Sequence, residues 1–154
     1  MTDSYEIPDE APIVCTIRPG ADEQAMMEVY RGLFGAGFLG GERTEWGVRW
    51  RFREDGDVEA RVRRQADAEA GCCPFLRMSV TVVDATVVWD VVGPANASAF
   101  LDEYVQLPRT VFGSVEVLRE RTIASGMTFD DRRQSSRFDG FGALVKDGGA
   151  ELGG

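Results

Sequence analysis

Three cysteines and no histidine occur in this chain of 154 residues, and two of the three are adjacent. In Glu69-Ala70-Gly71-Cys72-Cys73-Pro74-Phe75-Leu76 a helix-forming stretch gives way to an apolar run at a proline. Pro74 has no backbone N–H to donate and disfavours the helical conformation at Cys73, so the thiol pair sits at a fixed corner. Without an imidazole, the available chemistry rests on thiols, carboxylates and arginines, and a Cys–His nucleophile is excluded. If the fold gathers Cys15, Cys72 and Cys73, they form a site for a soft or borderline ion such as zinc, copper(I), mercury or arsenite. Zinc would need a fourth ligand, from Glu69, Asp90 or water.

A second reading is catalytic. Glu69 lies three residues before Cys72 and shares its helical face, so Cys72 or Cys73 with Glu69 makes a thiol–carboxylate pair. Two thiols and an acid can protonate a carbon–metal bond, as organomercurial lyases do. The substrate would then be an apolar or organometallic small molecule, enclosed by Trp46, Trp50 and Phe75, with Arg43 folded over the site. A helix C-terminus beside a carboxylate opposes thiolate formation unless Arg43 or Arg77 offsets it. Two arguments run against any shared site. Successive side chains on extended backbone point apart, and free cysteine behaves as a small buried hydrophobe. On a third reading, therefore, the cysteines only pack and the acidic surface engages partners.

Composition narrows the partners. The formal charge of −9, with sixteen arginines and one lysine, argues against nucleic acid and against anionic membranes. The densest basic cluster, Arg61, Arg63 and Arg64, lies among acids on one predicted helix and reads as a self-neutralising face. The absence of a signal-peptide pattern and of a long apolar run leads to the expectation of a cytoplasmic protein with reduced thiols.

The elements that must position these groups follow in order. Residues 1–11 read as a disordered leader. Ile13 to Ile17 is a short β-branched strand with Cys15 on its apolar face, closed by Pro19-Gly20. Ala21 to Leu33 is an amphipathic helix. The glycines from Gly32 to Gly41 suggest a helix cap and connection rather than an aromatic-tipped lid. Residues 42–53 alternate, with Thr44, Trp46, Val48, Trp50 and Phe52 on one face and arginines on the other, which predicts a half-buried strand. Asp57 suits an N-cap for a helix from Val58 to Ala70, whose stripe is Val58, Val62, Ala66 and Glu69 or Ala70. Arg77 to Val83 and Val87 to Val92 predict a hairpin, with Asp84 at its turn and Asp90 facing solvent. A helix spans Ala97 to Gln106.

The order βαβαββα predicts an α+β fold, a mixed β-sheet with helices packed on it, over a core domain of residues 12–107. Residues 108–154 read as an irregular extension and glycine-rich tail, with either a strand over Val111 to Ile123 or a short helix from Val115 to Arg121. The Gly-Gly end looks like that of ubiquitin-like carriers, but the element order differs.

Over residues 11–107 the chain resembles a group of small bacterial proteins. The residues that carry the resemblance are Cys15-Thr16, Glu42-Arg43, Gly47 to Phe52, and the Glu69-x-x-Cys72-Cys73-x-Phe75 corner. It implies the shape and the three-thiol pattern, and no particular activity.

Overall fold

The computed structural model describes residues 10–17 and 21–129. Most of the expected leader, the Pro19-Gly20 turn and the glycine-rich tail lie outside the described residues. The elements are β1 (Val14–Cys15), α1 (Ala21–Phe34), β2 (Phe38–Arg43), β3 (Gly47–Arg53), α2 (Val58–Cys72), β4 (Arg77–Val83) and β5 (Thr86–Val92). A 3₁₀ turn (Ala95–Ala97) then leads into α3 (Ser98–Tyr104), α4 (Leu107–Thr110), α5 (Val115–Ala124) and β6 (Thr128–Phe129).

This is an α+β fold. Four strands form an antiparallel sheet in the order β2-β3-β5-β4, while β1 and β6 pair in parallel as a separate two-stranded sheet. Alternation on the central strands decides which face is covered. Val48, Trp50 and Phe52 on β3 and Val87, Trp89 and Val91 on β5 are buried. On the opposite face Arg49 pairs with Asp90 at 2.7 Å, and Arg51 with Glu42 at 3.5 Å. The buried face carries an aromatic layer in which Trp50 meets Trp89 edge-on at 5.0 Å and Tyr30 of α1 stacks on Trp89 at 6.3 Å.

Three local expectations are corrected. The glycine-rich stretch is not merely a connection or lid: Phe38–Arg43 forms β2, paired with β3 across a bulge between Phe38 and Gly40. Gly40 there takes φ +146°, a conformation costly for residues with a Cβ. Glu42 and Arg43 therefore belong to β2, and Trp46 lies in the turn before β3. Asp57 makes no side-chain cap, because its φ of −103° and ψ of 16° are not the extended geometry that turns a cap carboxylate onto the first amides. Its carboxylate lies 4.0 Å from Arg61 instead.

Finally, the stretch read as an irregular extension carries most of α4, then α5 and β6 as far as Phe129, and buries Val111, Leu118 and Met127 in the core. The helix near Val115 is the alternative realised, with the Ser114 hydroxyl accepting from the Val117 amide at 3.1 Å. Weak periodicity hid these elements: of the apolar residues of α5 only Leu118 is buried, while Val117 and Ile123 are exposed.

The β4–β5 turn holds Asp84 and Ala85 at φ 49° and 63°. Two positive φ values define the turn that matches strand twist, and Ala85 adopts the second without glycine's freedom. Ala85→Gly is expected to stabilise the protein by about 1 kcal/mol in urea unfolding. A destabilised variant would contradict this turn geometry.

Candidate functional site

The thiol site is assembled from two segments that are distant in sequence. Residues 10–17 cross the molecule under three restraints. Asn96 exchanges two hydrogen bonds with the Ala11 backbone at 3.0 and 2.9 Å. The Thr128 amide donates to the Ile13 carbonyl at 3.0 Å. Thr16 donates to the Cys72 carbonyl from its amide at 2.9 Å and from its hydroxyl at 3.3 Å. That carbonyl is one that a helix leaves unsatisfied at its C-terminus, so the Cys-Thr pair both caps α2 and brings Cys15 against its last turn.

On α2 the decisive bond is the Cys73 amide to the Glu69 carbonyl, at 2.8 Å. Cys73 therefore still belongs to the last helical turn, although Pro74 holds it at φ −122° and ψ 76°. Glu69, Cys72 and Cys73 thus stand at i, i+3 and i+4, on one face. The expectation that adjacent cysteines diverge applies to extended backbone, and this backbone is the end of a helix.

The result is a close group. The sulfurs of Cys15, Cys72 and Cys73 all lie within 4.8 Å of one another, in buried positions, and could hold a metal ion. The Cys72 and Cys73 sulfurs are 3.7 Å apart. Ligands about 2.3 Å from a tetrahedral centre stand about 3.8 Å apart, so this pair already has the spacing of two ligands on one centre. The Glu69 carboxylate lies 3.7 Å from the Cys72 sulfur and 3.9 Å from that of Cys73.

The electrostatics divide the thiols. Cys15 is held well below the ordinary thiol value, first by hydrogen bonds from Cys72 and Cys73, against the opposing effect of burial. Cys72 and Cys73 are pushed up, chiefly because each donates to Cys15. Glu69 rises from its ordinary 4.5 to about 7, mainly by burial and then by the nearby Cys15 charge, partly countered by hydrogen bonds from Tyr30, Cys72 and Cys73. Tyr30 and Tyr104, whose hydroxyls are 3.4 Å apart, are both shifted upward by burial. One thiolate supported by two thiols and a carboxyl is the state this geometry favours.

A cavity of about 60 Å³ adjoins the group. Cys15, Cys73, Glu69 and Tyr104 line it, and the rest of its wall is mostly apolar, including Met26, Met27, Phe100, Leu118 and Met127. Its charged edge is the pair of Arg119 with the buried carboxylate of Glu23, bonded through Nε at 2.8 Å and through a second guanidinium nitrogen.

Arg43, Trp46, Trp50 and Phe75, expected to form the pocket, do not line this cavity. Arg43 is bonded to Asp102 at 2.8 Å and to the turn carbonyls of Thr44 and Gly47. Trp46 is exposed, whereas Trp50 and Phe75 are core residues, packed against Tyr104 and Phe100 at ring distances of 5.0 and 5.3 Å. Arg77 is exposed on β4, and Asp90 is engaged by Arg49. Sequence reasoning missed Tyr30, Tyr104 and the cavity wall contributed by α5 and β6. The signal for the tyrosines was present, since a phenol on an apolar helix face needs a partner for its hydroxyl.

Compared with protein-family models, curated proteins and solved structures, the chain matches none. The likeness to small bacterial proteins therefore rests on the quoted motifs alone.

Proposed function

We propose that this protein binds a thiophilic ion through Cys15, Cys72 and Cys73, and that a trivalent metalloid such as arsenite suits the site best. The observation that carries the reading is the convergence of three buried sulfurs within 4.8 Å of one another. Charge favours the metalloid. Among the described residues lining the adjoining cavity the only cation is Arg119, which Glu23 already engages. A zinc ion on three thiolates leaves a net negative charge, and Glu69 as fourth ligand would add another. Uncompensated charge at so buried a position is costly. Arsenous acid exchanges three hydroxides for three thiolates, the thiol protons leave with the hydroxides as water, and the adduct is neutral. Copper(I) and mercury(II) with three thiolates are again anionic.

A second reading, a cysteine–carboxylate enzyme acting on an apolar or organometallic molecule, is supported by one observation. Glu69, raised to about 7, stands beside two thiols at the wall of an apolar cavity. A carboxyl that retains its proton near neutrality can deliver it.

The test is titration of the reduced protein with arsenite, zinc, copper(I) and mercury(II), with adducts counted by native mass spectrometry. One arsenite per chain is expected, with affinity falling by on the order of 100-fold in Cys15→Ser as one arm of the chelate is lost. Thiols that react only after unfolding, with no adduct on the native chain, would return all three cysteines to a packing role.

A further inference from the structure

We infer that the site accepts trivalent arsenicals carrying one small organic group, held by Cys15 and Cys73 with that group lodged in the adjoining cavity. The inference rests on the thiophilic reading above and extends it to a ligand class. The three thiols are not equivalent toward the cavity: Cys15 and Cys73 line it, and Cys72 does not. An ion with three exchangeable positions can use all three sulfurs. A methylarsonous species has only two such positions, and its third substituent must find an apolar place. Cys15 and Cys73 are the pair whose sulfurs flank such a place, walled by Met26, Met27, Phe100 and Leu118.

Size limits the substituent. The cavity measures about 60 Å³, whereas a cavity of about 150 Å³ is what accommodates benzene. A methyl or ethyl group fits, and a phenyl ring does not fit without displacing the wall. The walls also match the group chemically, since thioether and aromatic side chains are polarisable and conform to irregular apolar shapes. Each arsenic–sulfur bond forms as an arsenic–hydroxyl bond breaks: at Cys73 the hydroxide takes the thiol proton, at the Cys15 thiolate it takes a proton from solvent, and both leave as water. Arsenic stays trivalent, and no oxidant or reductant is required.

The other titratable and charged groups around the thiols and the cavity are Glu69 and Cys72 on α2, Tyr30 on α1, Tyr104 on α3, and the Glu23–Arg119 pair at the cavity's edge.

The experiment compares arsenite, methylarsonous acid and phenylarsonous acid on the reduced full chain and its Cys72→Ser and Cys73→Ser variants. Affinities are read by competition with a small dithiol, and adducts by native mass spectrometry. Both variants should weaken arsenite. Methylarsonous acid should be weakened on the order of 100-fold by Cys73→Ser and at least about tenfold less than that by Cys72→Ser, which removes a donor to Cys15 but no arm of the two-point chelate. On the unmodified chain, phenylarsonous acid should bind at least about tenfold more weakly than the methyl compound, because the ring overpacks the wall. This comparison holds even where a serine variant folds poorly. Equal losses of methylarsonous binding in the two variants, or phenyl binding as tight as methyl, would overturn the inference. Failure of arsenite alone, with the methyl compound still bound through Cys73, would remove the three-thiol reading and leave this one standing.

Discussion

Between pH 5 and pH 8 the titration of Glu69 is expected to remove about 3 kcal/mol of unfolding free energy from the reduced protein, and Glu69→Gln is expected to abolish that contribution. The sign follows from the direction of the shift. Glu69 titrates near 7 in the folded chain against an ordinary 4.5. Between those values the folded state keeps a proton that the unfolded state has released. Stability is therefore highest at and below the lower value, falls as pH rises, and levels off above about 7. Burial is the main cause, so the effect depends on Glu69 remaining enclosed among Tyr30, Cys72 and Cys73.

Cys15 acts in the opposite sense. Its folded value is depressed, so the stability it contributes is present above the unfolded thiol value and lost as pH falls through the folded one. Urea unfolding at pH 5, 6, 7 and 8, repeated in a Cys15→Ser background, separates the two. An undiminished slope in the Gln variant would mean that Glu69 is not the titrating group.

Trp50→Ala is expected to cost about 3–5 kcal/mol, the range for removing a fully buried large aromatic. Trp50 is the hub of the aromatic layer. It meets Trp89 and Tyr104 at 5.0 Å and Phe34 at 5.2 Å, and none of its surface is exposed. Its indole N–H has no hydrogen-bond partner among the described residues, so Trp50→Phe, which keeps an aromatic ring, should cost much less than the alanine change. The site should also respond, because Tyr104 packs on Trp50 and lines the thiol cavity. Equilibrium denaturation of both variants, with arsenite affinity measured on each, provides the check. A loss below about 1 kcal/mol for alanine would place Trp50 outside the core.

Much of this protein follows from local pattern. Parity along residues 47–53 put Val48, Trp50 and Phe52 on the buried face, because a strand's side chains alternate whatever the strand packs against. The spacing of Val58, Val62, Ala66 and Glu69 identified the buried stripe of α2 for the corresponding helical reason. The same spacing put Glu69 beside Cys72. The cysteines themselves were legible as the only thiols in a chain without histidine.

What the sequence could not decide was convergence. Cys15 meets Cys72 and Cys73 because Asn96, Thr128 and the Cys72 carbonyl restrain the segment around it. Those are contacts between residues 56 to 115 positions apart, to which no local periodicity refers. The side on which Cys73 points depended on one backbone hydrogen bond to Glu69 surviving past the helix end. The pocket was misjudged for a related reason. Trp50 and Phe75 have the composition of a binding wall, but large aromatics bury wherever the core admits them, and here the core took them. The wall itself came from α1 and α3 together with α5 and β6, and the last two acquire meaning only once β6 is paired with β1. Short-range physics fixes which groups a chain can offer, and the long-range contacts that close its core fix which of them meet.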